Sequence, residues 1–434
     1  MVAVAAVPRV GWAWMANRPP KGLNDPNTYI GYGKLMAQTG EFIAPFGHHP
    51  TAYFPVGYPF TLSVIKRVGE STGLWGYTPW SMKFANVVFS VVTVAALYIV
   101  ASRLFGRRVG VGAAAVLALF PSQIYYSGTI LSEPLSTMLA TLALACLVLG
   151  ADTDLITETP SEQAVESVSP RRWGREPLLA AGGVLMGLAT MTRGLTVLFP
   201  AVVALWWLWS TRRSWRTVLR PVAILLVSFG VVVGSWVVRN YVTFDGEMLG
   251  LSNNAGEDFC LGNAPGATGS FAMVPVCTEG RRPTATSAQE VARAKEGWRK
   301  GWDGIRSDWG RTPTLLWNKF SHLMSRDDDG VFATESYGND RFLKPGARDL
   351  FTNLANGYYW VMLIPGAIGL LWMARVDRRT WILPAFVVYS ILVILGFFGV
   401  PRFHHAMVPW FSLGAAFVGD QVWRLLRERP SSSA

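Results

Sequence analysis

Residues 81–108 read SMKFANVVFSVVTVAALYIVASRLFGRR. From Ser81 to Ala101 the run is nearly all apolar and, at about 20 residues, long enough to cross the hydrocarbon of a bilayer. It closes on Arg103, Arg107 and Arg108, the kind of cationic cluster that cytoplasmic loops favour. The same unit recurs along the chain. Further apolar runs cover Val109 to Tyr126, Pro134 to Gly150, Leu178 to Thr192, Leu195 to Trp209, Pro221 to Val238, Leu354 to Ala374, Ile382 to Val400 and Ala406 to Val422. The pair that adjoins at Arg193 is short, so it forms a hairpin or a broken segment.

Basic clusters then fix direction. Arg103, Arg107 and Arg108; Arg171, Arg172 and Arg175; Arg212, Arg213, Arg216 and Arg220; Arg375, Arg378 and Arg379; and Arg424, Arg427 and Arg429 all fall on one side if the hairpin is counted. A wrong span count would scatter them over both faces. The outer face then owns Asn17 to Trp80, Ser127 to Glu133, the turn at Arg193, Arg239 to Asn353 and Pro401 to His405. The expected fold is an all-α polytopic membrane protein, a helical bundle with amphipathic helices and one large loop on its outer face. Its parts are a first outer loop at 17–80, a bundle of six spans at 81–238 with a flexible cytoplasmic loop at 151–176, a large outer loop at 239–353, three spans at 354–423 and a cytoplasmic tail at 424–434. Residues 1–16 are apolar but short and interrupted by Pro8 and Arg9, which reads as the stub of a truncated first transmembrane helix.

Composition agrees with a bilayer as solvent: 51% of the 434 residues are hydrophobic, 15% are charged, and the mean hydropathy is +0.28. The formal charge of +11 arises from Arg clumps between apolar runs, not from a groove suited to nucleic acid. Three cysteines exclude a disulfide-dense scaffold and show no metal-type spacing. Cys146 lies inside an apolar run. Cys260 and Cys277 share one polar loop and can pair if it faces an oxidising compartment. Neither GxxxxGK[ST] nor GxGxxG occurs, which argues against nucleotide-driven chemistry.

In the first outer loop, NDPNTYIGYGKLMAQTG places a helix start at Asn24 or Asp25 before Pro26 and a stop at Gly40, with Tyr29, Gly33 and Ala37 on one face. TAYFPVGYPF follows as a rigid aromatic segment at the interface, and Tyr29, Tyr53 and Tyr58 are the substrate-lining candidates. In the large loop, Ser287 to Glu290 has the pattern of a capping box, and a second helix starts at Thr312 and Pro313. Trp298, Trp302, Trp309 and Trp317 are candidate interfacial anchors.

Ionisable residues of the outer face are the candidates for chemistry. Asp25 is the leading general base, although a carboxylate before Pro26 is also an ordinary helix cap. Glu133, in SGTILSEPL, can assist it or bind an acceptor; the alternative is a first-turn carboxylate behind a Ser132 cap. Arg193, Arg239 and Arg402 close apolar runs at their outer ends, against the usual bias for Arg. Cations so placed ask for an anion, and guanidinium geometry suits the oxygens of a polyprenyl phosphate. Their alternative role is snorkelling to lipid headgroups. His404 and His405 adjoin Arg402 and are candidates for the phosphate or the acceptor, or are structural. Asp327, Asp328 and Asp329 before Gly330 form a loose cation site or, with more weight, a solvated loop, since the spaced ligands of a calcium loop are missing. Assistance by a divalent cation stays open.

These motifs, in order, resemble the GT-C superfamily of membrane glycosyltransferases, in particular bacterial members similar to aminoarabinose transferases and protein O-mannosyltransferases. The carrying pieces are Asp25 with Tyr29, Ala37 and Gly40; TAYFPVGYP; SEP at Ser132 to Pro134; TRGLTVLFP from Thr192; RNYVTFDGEMLGLSNNAGEDFCLGN from Arg239; and PRFHHAMVP from Pro401. The resemblance implies inverting transfer of a hexose or pentose from a polyprenyl-phosphate donor to a glycan, lipid or protein acceptor. Transfer would occur on the periplasmic face of a bacterial plasma membrane, with Asp25 as base. It also implies that Arg193, Arg239 and Arg402, with His404 beside them, bind the lipid phosphate. Pro26 stands where protein mannosyltransferases carry a second acid, which speaks against a protein acceptor. The rival classes are a transporter or flippase of an anionic lipid-linked sugar and a non-catalytic scaffold.

Overall fold

A computed structural model describes residues 1–22, 24–151, 175–210, 216–278 and 284–427. Most of the loop expected at 151–176, with Arg171 and Arg172, lies outside the described residues, as do Arg212, Arg213 and Arg429. The described residues form helices joined by loops, with one isolated β-bridge between Ile43 and Pro50.

Helix α1 (Val2–Met15) precedes α2 (Asp25–Thr39) and α3 (Gly57–Thr72) of the first loop. Then come α4 (Pro79–Phe105), α5 (Arg107–Ala118), α6 (Pro121–Ser127), α7 (Glu133–Gly150), α8 (Arg175–Thr192), α9 (Phe199–Ser210) and α10 (Arg216–Thr243). The large loop carries α11 (Asn254–Asn263), α12 (Pro275–Thr278), α13 (Ser287–Ser307), α14 (Thr312–Met324) and α15 (Asp329–Thr334). Helices α16 (Pro345–Val376), α17 (Ile382–Gly396) and α18 (Val408–Arg427) complete the bundle. Each apolar run of the sequence contains helix, although the run to Val400 leaves it after Gly396. Among the described residues five helices qualify by length and composition to cross a membrane, six if the bent pair α5 and α6 is counted as one broken span, against the nine apolar runs of the sequence. The large loop is shorter than expected, because α10 runs on through Arg239 to Thr243 and α16 begins at Pro345.

Local chemistry sets several boundaries. Thr78 and Ser81 form a reciprocal capping box at the start of α4, with Pro79 in its first turn. Asn24, not Asp25, caps α2, and Gly40 ends it in the left-handed region at φ 79°. Gly366 and Gly369 of α16 meet Gly414 of α18 so closely that an added Cβ on Gly369 would lie 2.0 Å from the Gly414 carbonyl oxygen.

Val109 to Tyr126 is not one straight span. The chain bends by 56° between α5 and α6, and Arg9 accounts for how that bend is tolerated. Its guanidinium is fully buried and donates to the terminal carbonyls of α5, Ala118 at 2.7 Å and Leu117 at 3.0 Å, and to Ser90 Oγ at 2.7 Å. Carbonyls orphaned at a helix end need such donors inside an apolar bundle.

Tertiary structure also overrides the capping box read at Ser287 to Glu290. Thr286 caps α13 by accepting from the Gln289 amide, and the Gln289 side chain accepts from the Ala285 amide. The box is shifted back by one residue. Glu290, 3% exposed, instead accepts from Thr51 Oγ1 at 2.6 Å, the Ala52 amide at 2.9 Å and Asn253 Nδ2 at 2.9 Å. It thereby fastens α13 to the first loop. A disulfide between Cys260 and Cys277 ties α11 to α12.

Candidate active site

Four of the ionisable residues singled out in the sequence meet at one end of the bundle. Asp25 comes from the first turn of α2, Glu133 from the first residue of α7, and Arg193 from the extended residue where α8 ends. Arg402 comes from the 3-10 turn Pro401–Met407 that leads into α18. Arg402 is the hub. Its Nη2 donates to Asp25 Oδ2 at 2.8 Å, its Nε lies 3.2 Å from Glu133 Oε1, and its Nη1 donates to the Tyr337 hydroxyl at 3.1 Å. Arg193 donates to the same Glu133 oxygen and lies 3.5 Å from Ser132 Oγ. Phe403 packs beside both guanidinium groups, at 5.0 Å and 5.6 Å from ring centre to Cζ.

Glu133 is 2% exposed, and its second oxygen, Oε2, is buried without a donor among the described residues. Glu133 is the first-turn carboxylate of α7 behind Ser132 at the N-cap, although the Ser132 side chain makes no capping bond. Its partners are two arginines brought from far along the chain. Asp25 is more open, with 30% of its side chain exposed. Tyr29 is buried beside this cluster and stacks edge-on against Tyr58, whose hydroxyl accepts from Asn86. Burial, then the charges of Asp25 and Glu133, pushes the Tyr29 hydroxyl well above the usual phenol range, so it stays a donor.

Other candidates are placed elsewhere. Arg239, on the last turns of α10, donates to the carbonyls of Thr51 at 2.9 Å and Phe42 at 3.3 Å and lies over Trp236. Its partners are backbone carbonyls of buried residues in the first loop, not the carboxylate cluster. His404 follows Arg402 in a tight turn and points into the core. Both of its ring nitrogens are engaged, with the Leu323 carbonyl at 2.7 Å and Asp327 Oδ1 at 2.9 Å, and its ring stacks on Tyr359. His405 is buried too, against Tyr126 and Thr137. Tyr53 reaches Glu257 of α11 at 2.8 Å. The three consecutive aspartates are not a solvated loop: Asp327 is buried on His404, and Asp329 Oδ2 accepts from the Tyr126 hydroxyl at 2.9 Å. Among the described residues no group of three or more His, Cys, Asp or Glu is placed to hold a metal.

Tyr337 escaped sequence reasoning. It lies in an irregular segment where Ser336, Tyr337 and Gly338 all have positive φ, at 54°, 56° and 91°. No motif marks it. The segment is latched to the first loop: the Lys21 amide donates to Ser336 Oγ at 3.1 Å, and Lys21 Nζ pairs with Asp340 at 2.7 Å. The latch thus ties the Arg402 partner to the loop that carries Asp25.

Two kinds of similarity accompany this geometry. Residues 68–237 match the family described as dolichyl-phosphate-mannose-protein mannosyltransferase. The fold is similar to the oligosaccharyltransferase of Archaeoglobus fulgidus in its apo form, at 14% identity and a TM-score of 0.53, over 100% of this chain and 52% of that one. The archaeal enzyme AglB from the same organism, in complex with an inhibitory peptide and a dolichol-phosphate, matches at 14% identity and a TM-score of 0.51, again over 100% and 52%. ArnT from Cupriavidus metallidurans bound to undecaprenyl phosphate matches at 16% identity and a TM-score of 0.42, over 97% of this chain and 78% of that one. The chain spans about half the length of the oligosaccharyltransferases that it matches. No curated protein matches the sequence. The family match and the archaeal likeness bear out the resemblance to the GT-C superfamily, and at this identity the likeness establishes the fold.

Proposed function

We propose that this chain, an integral membrane protein with the GT-C fold, transfers a sugar from a polyprenyl-phosphate donor to a hydroxyl of a cell-envelope acceptor on the outer face of the membrane. The observation that carries the reading is the convergence of Asp25, Glu133, Arg193 and Arg402 from four separated parts of the chain. Dolichol-phosphate held by the archaeal relative is a ligand of the proposed class.

The chemistry follows from charge. Asp25, the more open carboxylate, takes the proton of the acceptor hydroxyl as its oxygen attacks the anomeric carbon. The bond from that carbon to the phosphate oxygen breaks with inversion, and its electron pair leaves with the phosphate. A donor phosphodiester carries one negative charge, whereas the departing monoester gains a second ionisation with a pKa of about 6. Arg193 and Arg402 therefore face a charge that grows during the reaction, and they favour the transition state over the bound donor. Glu133 holds both guanidinium groups at that position. The sugar is a hexose or pentose, and Pro26 in place of a second acid favours a glycan or lipid acceptor over a protein.

The test supplies purified full-length chain with radiolabelled polyprenyl-phosphate sugars and cell-envelope acceptors. Label passing to an acceptor only when the protein is present is the expected result. No transfer from any donor, combined with movement of labelled lipid across vesicles, would replace this reading with transport.

A further inference from the structure

Of the three adjacent aspartates at 327–329, two are engaged: Asp327 by His404, and Asp328 by Arg326 at 3.6 Å. Asp329 differs. Its Oδ2 is fixed by the Tyr126 hydroxyl, no cation among the described residues pairs with it, and Oδ1 has no donor among them. The residue is only partly buried. It opens α15, which is seated firmly on α6, since a Cβ on the next residue, Gly330, would lie 3.0 Å from Tyr125 Cβ and 3.1 Å from Tyr126 Cδ2. Arg402 and Glu133 are its electrostatic neighbours, and it is in turn a neighbour of Tyr337. A fixed carboxylate with one free oxygen therefore stands beside the hub of the candidate active site.

We infer that Asp329 determines sugar specificity, accepting a hydrogen bond through Oδ1 from a ring hydroxyl of the sugar being transferred. The inference rests on the proposed transfer reaction and names the part of the donor that this side of the site reads. An ionised carboxylate is an acceptor only. It repels the donor phosphate, which belongs to the arginines, and suits the neutral hydroxyls of the sugar, so the two sides of the site sort the two halves of the donor. Asp25 and Glu133 are held by guanidinium groups, whereas Asp329 is held by a phenol that leaves its charge unneutralised. Burial pushes the Asp329 carboxyl up, against the opposing pull of Arg402 and Tyr126, and a hydroxyl donor offsets part of that cost. A site built around such a bond rejects a sugar lacking the hydroxyl.

The experiment compares wild type, Asp329→Asn and Tyr126→Phe in detergent. It measures kcat/KM with polyprenyl-phosphate donors that include single-deoxy sugars, and binding of sugar-free polyprenyl phosphate. For Asp329→Asn the expected loss in kcat/KM is about 10- to 150-fold on the best donor, the range for one hydrogen bond to a charged group. Affinity for sugar-free polyprenyl phosphate should stay unchanged, and the loss should vanish with one deoxy donor. Tyr126→Phe, which frees the carboxylate to rotate, should give a smaller loss on the same donors. Equal rates for Asp329→Asn and wild type on every donor would overturn the inference and leave the transfer reaction standing. So would a parallel loss of sugar-free polyprenyl phosphate binding. A wild type that transfers from no donor would overturn both.

Discussion

Replacing Asp25 by Asn separates a base from a structural carboxylate. The change keeps size and removes charge. Asn24 still caps α2 through its contact with the Asn27 amide, so the helix start survives. The lost ion pair with Arg402 involves a carboxylate with 30% of its side chain exposed, and pairs so open to water contribute about 0–1 kcal/mol. A first-turn charge on the helix dipole adds about 0.3–1 kcal/mol. The stability loss should therefore stay within about 2 kcal/mol. Transfer should fall far more, by about 10²- to 10⁴-fold, the usual contribution of a general base. Glu133 cannot take over, because its Oε1 is shared by Arg193 and Arg402 and its other oxygen is buried. The assay follows label from a polyprenyl-phosphate sugar to acceptor, alongside thermal unfolding in the same detergent. Transfer within about threefold of wild type, a change of well under 1 kcal/mol in barrier, would refute the assignment.

Glu133→Gln leaves two partly buried guanidinium groups without their shared, buried anion and should lower stability by about 3 kcal/mol, the low end for breaking a buried pair, because Asp25 still serves Arg402; unchanged unfolding would contradict the pairing. The pH dependence of Asp329 has a defined sign. Its folded carboxyl is raised above the unfolded value of about 3.9, so its contribution favours the folded state in acid and is lost as pH rises through the folded value. Asp329→Asn should accordingly unfold at a higher temperature than wild type at neutral pH, with the advantage disappearing in acid, and an advantage that persists in acid would argue against it. Glu290→Ala strips the shared acceptor from Thr51, the Ala52 amide and Asn253, each a buried donor that costs about 1–3 kcal/mol when unmet. Hydrogen exchange should rise at 51–53 and at Asn253; protection unchanged there would show that α13 is held by other contacts.

The helices were legible because each apolar run is a property of its own residues. Ser81 to Ala101, for instance, became Pro79–Phe105 once its capping residues were added. What was not legible depends on partners distant in sequence. Pro121 marks a break after Ala118, but the Arg9 that stabilises the bend lies more than a hundred residues earlier and nothing nearby points to it. Glu290 carries a correct local signal for a cap, yet a buried set of donors from the first loop captures it. Half of the site could be read by asking why Arg193 and Arg402 stand at the wrong ends of apolar runs. The sequence pointed to a lipid phosphate as the missing anion, and the geometry adds Glu133 and Asp25 as partners within the chain. For Arg239 the same question has another answer, two backbone carbonyls. Tyr337 sits in an irregular segment of left-handed residues, where neither periodicity nor a turn motif marks a functional side chain.

The arrangement of buried cations also weighs between transfer and transport. A carrier needs interior ionisable groups that exchange partners as the ligand passes. Arg9 and Lys83 are interior cations, but their partners are backbone carbonyls: Leu117 and Ala118 at the end of α5, and Ala16 and Arg18 after α1. The bond to Ala118 finishes the end of α5 inside the bundle, and releasing it leaves that carbonyl without its donor. Such partners do not exchange. Arg193 and Arg402 instead hold carboxylates, which a phosphate oxygen can replace with the same charge and nearly the same geometry. Of the cations paired with carboxylates, Arg193 and Arg402 are the two that share one acid, Glu133, and stand beside Asp25, the arrangement that the proposed transfer uses.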